Sequence, residues 1–405
     1  MPSDPFSQTP DIASVAQLVE PPQIPPHRSH DRSKNLKRSD PFQFGSRYLE
    51  TGDDVFEFNA WDHVEPDDDY KNYAEIQYAK QRESPASDFD RERFNSDPAK
   101  WWDLFYKNNT DNFFKNRKWL RQEFPVLAEV TRKDAGRKVV LEVGAGAGNT
   151  AFPLLLNNEN DQLMIHACDF SKKAVNVMRE SEHYDPEHIM ANVWDVASIK
   201  PSAEAEGEAE AETIKRDNNN NGNSYSLPPA LTEESVDVAI LIFTFSALSP
   251  DQWDQALRNI YHVLKPGGRI VFRDYGQGDL AQVRFKKGRY LAENFYIRGD
   301  GTRVYFFNRE ELAHIWGAWT LENGLQVQQK GDDETAKKIE DGSNNSDNND
   351  SVDQTDTATI TKNGRKHGPF TILNLGVDRR LIVNRQRKLK MYRCWLQMHI
   401  IKHEQ

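Results

Sequence analysis

The sequence predicts an α/β fold: a doubly wound, mostly parallel sheet with an antiparallel C-terminal strand, preceded by an aromatic and basic N-terminal helical extension. Three observations predict this fold. Short apolar runs alternate with helical segments between residues 138 and 274, as in parallel sheets wrapped by helices. A glycine-rich turn follows the first of these runs. A late run of aromatic and β-branched residues, 391–401, predicts the final strand.

The elements follow in order along the chain. The aromatic stretch 101–127 is predicted to be helical. Strands are predicted at the apolar runs 138–143, 163–168, 189–193, 236–243 and 269–274. Helices are predicted between them at 149–156, 172–179 and 251–264. A hairpin is predicted at 294–307, with its turn at Gly299-Asp300-Gly301, and a further helix at 310–323.

Charge is distributed unevenly over the 405 residues, whose formal net charge is −11. Residues 201–230 hold six acids and two bases, and residues 329–357 hold nine acids and three lysines. Both stretches are poor in large apolar groups, so we predict disordered insertions there. Residues 1–110 hold 21 acids and 13 bases. The residues outside these three acidic stretches therefore carry a net charge of +7. The predicted body of the protein is therefore basic, and the overall acidity does not exclude nucleic acid.

Several classes of protein are excluded by composition. Two cysteines, Cys168 and Cys394, exclude a disulfide framework and a cysteine-rich metal site. The histidines have no metal-ligand spacing, so we predict no metal. No run approaches the roughly 18 apolar residues of a membrane helix, and we expect no membrane association. The first base is Arg28, after three acids, so the N-terminus does not resemble a targeting signal, and we expect a cytoplasmic protein.

The glycine-rich turn carries the first sign of chemistry. It contains Gly144, Gly146 and Gly148, with Glu142 two residues before it. The third glycine of a dinucleotide fingerprint would fall at Asn149, so the pattern differs from that motif. An acid beside the loop favours a cationic ligand without a pyrophosphate, and S-adenosylmethionine fits better than NAD. A tight turn that serves packing alone is the alternative.

Two further acids follow the next strands. Asp169 ends the second strand and is placed to accept hydrogen bonds from ribose hydroxyls. Asp195 follows the third strand, where it could accept from an adenine amino group while the Val196 N–H binds the ring. Either acid alone is more often a helix cap or a loop residue. Together with the glycine loop, they favour an adenosyl ligand.

At these motifs the sequence resembles the tRNA N3-methylcytidine methyltransferases, a class I, Rossmann-like, S-adenosylmethionine-dependent family. The resemblance covers residues 42–328 and 375–400, without the two insertions. It rests on the segments Trp102-Asp103-Leu104-Phe105-Tyr106, Phe113-Phe114-Lys115, Leu141–Asn149, Phe272-Arg273-Asp274-Tyr275-Gly276 and Asp300-Gly301-Thr302-Arg303. Phe44-Gly45-Ser46-Arg47-Tyr48-Leu49 resembles the branch that modifies threonine tRNA.

The resemblance implies a domain organisation and a set of cofactor contacts. It implies an RNA-binding and cofactor-covering extension at 39–127 and a methyltransferase domain at 128–405. Composition, rich in Pro, Ser and Asp at the start, predicts a disordered tail at 1–38, and it places the disordered insertions at 201–230 and 329–366. The resemblance implies cofactor contacts at Trp102, Tyr106, Gly144, Asp169, Asp195, Val196 and Ile242, and the glycine-rich turn adds Glu142, Gly146 and Gly148 as cofactor-binding candidates. Trp102 and Tyr106 are four apart and share a helix face, where two rings beside a sulfonium offer cation–π attraction. The alternative is that they are core aromatics.

The implied reaction is methylation of cytidine N3 in the anticodon loop, at position 32, in threonine tRNA, with serine and arginine tRNAs left open. An unpaired N3 has an exposed lone pair, so no base needs to remove a proton before attack. Catalysis then depends on alignment and exclusion of water. Asp274 is the candidate catalytic residue, because a carboxylate would stabilise the cationic product ring. That Asp274 instead pairs with Arg273 or nearby backbone is an equal alternative.

RNA contacts should combine cations with aromatic rings. The candidates are Phe113, Phe114, Lys115, Arg117, Lys118, Arg284, Lys286, Lys287, Arg303, Arg387 and Lys388. Any single lysine is more often part of a solvated face. The expected partner is the anticodon arm of tRNA, not DNA, with an aminoacyl-tRNA synthetase or accessory protein left open. Two alternative functions remain: a methyltransferase of proteins or small molecules, and a non-catalytic RNA-binding protein.

Overall fold

The computed structural model describes residues 47–117, 119–199, 215–216, 224–321, 324–325 and 368–403. Its strands are β1 (Ala60–Asp62), β2 (Lys138–Val143), β3 (Leu163–Asp169), β4 (Ile189–Val193), β5 (Lys215–Arg216), β6 (Ser224–Tyr225), β7 (Val236–Ile242), β8 (Leu264–Tyr275), β9 (Tyr290–Ala292), β10 (Phe295–Ile297), β11 (Arg303–Tyr305), β12 (Phe370–Asn384) and β13 (Leu389–Lys402). Its α-helices are α1 (Asp68–Glu83), α2 (Asp88–Asn95), α3 (Pro98–Asn109), α4 (Leu120–Glu123), α5 (Pro125–Glu129), α6 (Ala151–Leu155), α7 (Lys172–Arg179), α8 (Trp253–Val263), α9 (Leu280–Val283) and α10 (Arg309–Gly317). Two 3-10 turns, Phe245–Ala247 and Pro250–Gln252, follow β7.

One eight-stranded sheet organises the molecule, in the order β1-β12-β13-β8-β7-β2-β3-β4. The five strands from β8 to β4 are parallel, whereas β13 runs antiparallel to β8, β12 to β13, and β1 to β12. Apolar clusters cover both faces of the parallel part, as expected for buried parallel strands. The predicted fold class is confirmed, and the carboxyl ends of β2, β3, β4 and β7 meet at one edge.

Two strands of this sheet were absent from the sequence-based prediction, which had only the final strand there. The missed β12 carries Asp378-Arg379-Arg380 at its centre, which interrupts the apolar pattern of a strand. The charges are compensated in place, because Asp378 pairs with Arg273 and Arg380, and Arg380 also pairs with Asp62. The missed β1 is only three residues long and gains its partners from β12.

The prediction of one aromatic helix over 101–127 is wrong. The helix α3 ends at Asn109, and Thr110 follows with a positive φ of 49°. The next residues form a loop that leads into two short helices, α4 and α5, the second beginning at Pro125. The Asn-Thr-Asp-Asn sequence after α3 explains the break, because these residues favour turns over helix interiors.

The predicted end of the first disordered insertion, residue 230, is wrong because residues 224–230 belong to the folded structure. Residues 224–230 are packed: Tyr225 is buried and stacks on His262, with ring centroids 3.6 Å apart. Ser226 accepts a hydrogen bond from Trp194 Nε1 at 3.2 Å. The insertion therefore ends by residue 223. The predicted tail 1–38, the insertion 329–366 and most of 201–223 lie outside the described residues.

The N-terminal segment is built into the sheet and does not form a separate body. Trp61 in β1 is 2% exposed and packs with Leu381, Val383 and Tyr392 of the β12–β13 hairpin. Its indole N–H donates to the Val55 carbonyl at 2.8 Å. Farther along, the Gln81 amide of α1 donates to three carbonyls around α9.

Within the described residues, no helix is long and apolar enough to span a membrane, and no cluster of three metal-binding side chains occurs.

Trp61→Ala should lower the free energy of unfolding by about 3–5 kcal/mol, because it removes a buried indole and leaves a cavity. Chemical denaturation of the purified protein measures this loss. Phe89→Ala is the matched control, since Phe89 is 72% exposed and its loss should change stability by less than about 0.5 kcal/mol. Equal losses for the two variants would contradict the assigned role of β1.

Candidate cofactor pocket and active site

A pocket lies at the carboxyl ends of β2, β3, β4 and β7, and its space, counted together with the open solvent at its mouth, is about 700 Å³. Eight of the ten residues predicted to bind cofactor line it: Trp102, Tyr106, Gly144, Gly146, Asp169, Asp195, Val196 and Ile242. Glu142 and Gly148 do not line it. The pocket also has walls that the sequence did not predict as cofactor contacts, among them Phe114, Arg117, Trp194, Phe243 and Thr244.

The glycine turn brings the backbone close to the pocket. Gly146 has φ 59°, and a Cβ there would lie 2.3 Å from Tyr106 Oη. Gly144 has φ 68°, and a Cβ there would lie 2.5 Å from the Thr244 side chain. These two glycines therefore permit both the turn and its close neighbours. Gly148 does not line the pocket, and a Cβ added there would meet the Phe152 ring; its predicted cofactor contact stays a prediction.

Asp169 joins the glycine turn to the end of β3. Its Oδ2 accepts from the Gly146 N–H and its Oδ1 from the Ser171 N–H, each at 2.9 Å. It is 6% exposed, and burial raises its pKa to about 6. Each carboxylate oxygen retains a further lone pair, so Asp169 can fix the loop and accept from ribose hydroxyls.

Asp195 and Val196 form the wall at the outer strand, β4. Asp195 Oδ1 accepts from the Ala197 N–H at 2.9 Å, and burial raises the pKa of Asp195. The neighbouring Trp194 is 3% exposed and also lines the pocket. An acid, a backbone segment and an indole at this place suit the edge and face of an adenine ring.

The helix α3 covers the pocket from the N-terminal side. Trp102 and Tyr106 both line it, with ring centroids 6.2 Å apart and planes at 29°. Asp103 holds the helix down by accepting from Ser171 Oγ at 2.6 Å and from the Lys173 N–H at 3.0 Å. The two rings therefore face the pocket as well as the packed interior, and their contact with the cofactor stays a prediction.

Glu142 lies beneath the glycine turn, 1% exposed. Neither of its carboxylate oxygens has a hydrogen-bond partner of normal geometry within the described residues. Its nearest cation is Arg117, whose Nη1 is 3.9 Å from Oε1. Burial raises the pKa of Glu142 to about 7, and Arg117 acts in the opposite direction. Glu142 does not line the pocket, so its carboxylate lies just behind the pocket wall. From there it would act on the cofactor through its charge.

The carboxyl end of β7 forms the other side of the pocket, and the carboxyl end of β8 lies next to it in the sheet. Phe243 follows β7 with φ 59°, a conformation that costs energy for an aromatic residue and often marks a functional site. Its ring lies 4.9 Å from Tyr275, and the guanidinium of Arg298 lies over Tyr275 at 5.3 Å. These aromatic and cationic groups were not predicted together, because the hairpin that carries Arg298 is distant in sequence.

Asp274 does not line the pocket, so the prediction of a catalytic carboxylate is not supported by its position. It is fully buried, and its oxygens accept from the backbone N–H groups of Ser246 at 2.8 Å and Tyr275 at 2.9 Å. Burial raises its pKa to about 6. It holds the 3-10 turn whose Ala247 lines the pocket, which is a positioning role and matches the backbone-pairing alternative.

The ten predicted RNA-contacting residues that the structure describes fall into three groups: exposed, pocket-lining and buried. Phe113, Lys115, Arg284, Lys286, Lys287, Arg387 and Lys388 are exposed, and they stay predictions. Phe114 and Arg117 line the pocket, whereas Lys118 lies outside the described residues. Arg303 requires correction: it is 4% exposed and donates to Asn95 at 3.1 Å and Gln252 at 2.9 Å. It holds the β10–β11 hairpin in place and is too buried for a phosphate contact.

The residues of the pocket fit S-adenosylmethionine. Acids at the ends of two strands suit the adenosyl hydroxyls and amine, and the rings of α3 suit a sulfonium. Glu142 supplies a buried negative charge, and neither of its oxygens has a hydrogen-bond partner of normal geometry within the described residues. When bound there, S-adenosylmethionine supplies an electrophilic methyl group, and the residues around the pocket orient it and exclude water.

The affinity for S-adenosylmethionine should rise with pH through the pKa of Glu142, about 7. The ionised carboxylate attracts the cationic ligand, and the protonated form does not. We expect an increase of about threefold to tenfold between roughly pH 6 and pH 7.5, measured by calorimetry. Glu142→Gln should bind more weakly, with a flatter profile. The same profile in both proteins would contradict the role of Glu142.

Gly146→Ala should lower the affinity for S-adenosylhomocysteine by about tenfold or more, because the new Cβ displaces Tyr106. Gly288→Ala is the matched control. Gly288 also has a positive φ, 74°, but nothing lies within 4 Å of its added Cβ. Both variants carry a similar backbone cost, and only Gly146→Ala should lose affinity. Equal affinities would show that Tyr106 does not shape the site.

Comparison with known proteins agrees with this geometry. A family model described as a methyltransferase domain matches residues 141–270. A tRNA(Thr) (cytosine(32)-N(3))-methyltransferase of Saccharomyces cerevisiae is 42% identical over 91% of this chain, which spans only 47% of that longer relative. A tRNA N(3)-methylcytidine methyltransferase of Schizosaccharomyces pombe is 41% identical over 87% of this chain and 90% of its own. One of Drosophila melanogaster is 36% identical over 89% of each. Because the identity with the second and third of these relatives exceeds 30% over nearly the whole length of both chains, the protein belongs to the tRNA N(3)-methylcytidine methyltransferase family.

Proposed function

We propose that this protein transfers a methyl group from S-adenosylmethionine to N3 of cytidine at position 32 of the tRNA anticodon loop. Threonine tRNA is the main proposed substrate, with serine and arginine tRNAs as further substrates to test. The observation that carries the proposal is 42% identity with a relative of that name, over 91% of this chain. The pocket adds support, since its acids, glycines and aromatic rings suit the required methyl donor.

The proposed methyl transfer needs no general base. An unpaired cytosine N3 attacks the methyl carbon directly, the carbon–sulfur bond breaks, and the ring gains a positive charge. The ring then loses its amine proton to solvent or remains charged, so no base is needed before the attack. The protein's contribution is alignment of the two reactants and removal of water.

The target base is proposed to lie against Phe243 and Tyr275, at the carboxyl ends of β7 and β8. Phe243 lines the cofactor pocket, and its ring is 4.9 Å from that of Tyr275. Arg298 lies over Tyr275 and is only partly buried, so it can reach a base carbonyl or a neighbouring phosphate. A base removed from its stack is commonly held by such rings.

The exposed cations are proposed to bind the phosphates of the anticodon arm. Lys115 lies between α3 and α4, whereas Arg284, Lys286 and Lys287 follow α9. Arg387 and Lys388 lie at the end of the β12–β13 hairpin, where Lys388 stands over Phe56 at 4.4 Å. Phosphate contacts of this kind give affinity that falls with salt. A cytoplasmic location is proposed on the sequence of the N-terminus, and a tRNA-synthetase or accessory partner is proposed on the family resemblance.

The test is nucleoside mass spectrometry of purified threonine, serine and arginine tRNAs from cells with and without the gene. Loss of 3-methylcytidine from threonine tRNA is expected. Re-expression of the wild-type protein should restore it, and Asp169→Asn should not. Asp161→Asn, an exposed acid before β3, is the matched control and should restore it. Unchanged 3-methylcytidine in every tRNA, with no activity of the purified protein on tRNA, would overturn the proposal.

A further inference from the structure

A buried arginine from the segment between α3 and α4 lies in the wall of the cofactor pocket. We propose that Arg117 binds the carboxylate of the methionine part of S-adenosylmethionine. This assigns to the cofactor a residue that the sequence pattern assigned to RNA. It rests on the proposed use of S-adenosylmethionine, and it concerns the end of the ligand farthest from the adenine.

Arg117 is held in position by the glycine turn and the helix that follows it. Its backbone N–H donates to the Asn149 carbonyl at 2.8 Å, and its Nη1 donates to Thr150 Oγ1 at 2.9 Å. The Asn149 amide in turn donates to Asn116 Oδ1 at 3.2 Å. Asn149 stands where a dinucleotide motif has its third glycine, and here its side chain fastens the N-terminal segment to the loop.

The charge of Arg117 is only partly compensated. Its side chain is 12% exposed, and the nearest carboxylate oxygen, on Glu142, is 3.9 Å away, which is too far for a hydrogen bond. A guanidinium has five donors in a planar fork that matches a carboxylate. Burial of such a group is favourable only when those donors are used. A carboxylate in the pocket would use them.

The location matches one end of the ligand. The acids suited to adenosine lie after β3 and β4, whereas Arg117 lies beside β2 and β7, with its guanidinium 5.7 Å from the Phe243 ring. Adjacent strands are about 4.8 Å apart, so roughly 10 Å separate β4 from β2. A ligand whose adenine lies at β4 therefore presents its amino-acid end near Arg117, and the ammonium group of that end suits Glu142.

The alternatives are a purely structural partner of Glu142 and a contact to RNA. Calorimetry separates them without any tRNA, by use of two ligands. One is S-adenosylhomocysteine, and the other is its decarboxylated analogue, S-adenosyl-3-thiopropylamine, which keeps the amine. Wild-type protein should prefer the first. Arg117→Gln should lower its affinity by about tenfold to a hundredfold, yet change that of the analogue by less than about threefold.

Two further variants complete the experiment. Arg117→Lys keeps the charge without the planar fork and should retain part of the preference, which gives a result even if Arg117→Gln is unstable. Arg121→Gln is the matched control: Arg121 lies four residues on and donates only to neutral groups, Asn157 O and Thr131 Oγ1. It should leave both affinities unchanged.

Two results with the Arg117 variants would overturn the assignment and leave the proposed function standing. Equal loss of both ligands in the Arg117 variants would show a structural role, and unchanged S-adenosylhomocysteine affinity would leave RNA as the partner. Failure of wild-type protein to bind S-adenosylhomocysteine would remove the proposed function together with this assignment. The two kinds of failure are therefore distinguishable.

Discussion

The close contact between the glycine turn and the N-terminal segment is the constraint on which the pocket depends. There is no room for a side chain at Gly146, because Tyr106 Oη occupies that place. On one side Asp103 ties α3 to the start of α7, and on the other Asn149 ties residues 114 and 116 to the turn. The pocket is consequently closed by residues that precede the sheet in sequence, and it exists only when the segment is docked. That docking is supported in turn by β1, which joins the same sheet through β12.

Buried carboxylates in and around the pocket favour a ligand of positive charge. Glu142, Asp169 and Asp274 are all buried, and burial raises the pKa of each, to about 7, 6 and 6. A carboxylate with a raised pKa destabilises the folded protein progressively as the pH rises above its unfolded value of about 4. For Glu142 a bound cationic ligand would offset that cost, because it provides the missing counter-charge. Asp274 has no such role, since its oxygens are used by two backbone N–H groups that shape the turn after β7.

The parallel strands and the glycine turn could be predicted from sequence because their signals are local: a short apolar run, followed by glycines whose φ must be positive. The antiparallel part could not be predicted as fully. In β12 the charges at Asp378 and Arg380 disguise the strand, and only the fold supplies their partners Arg273 and Asp62. In the site, acids after strands were predictable from position alone, whereas Arg117 was assigned to RNA because basic and aromatic neighbours suggest a surface. Arg298 and Phe243 were not predicted to lie close to Tyr275, since the hairpin and the strand end meet only in three dimensions.

The segment between α3 and α4 contributes residues both to the cofactor pocket and to the proposed RNA-binding surface. Phe114 and Arg117 line the pocket, whereas the alternate residues Phe113 and Lys115 are exposed, with Phe113 57% exposed. The rings of Phe113 and Phe114 are 4.9 Å apart and both pack on Phe105 of α3. A nucleotide stacked on Phe113 would therefore press on the same aromatic group that closes the cofactor pocket. Binding of RNA at this surface would favour the docked segment, and a docked segment favours the cofactor, so each ligand should strengthen the binding of the other by the same factor.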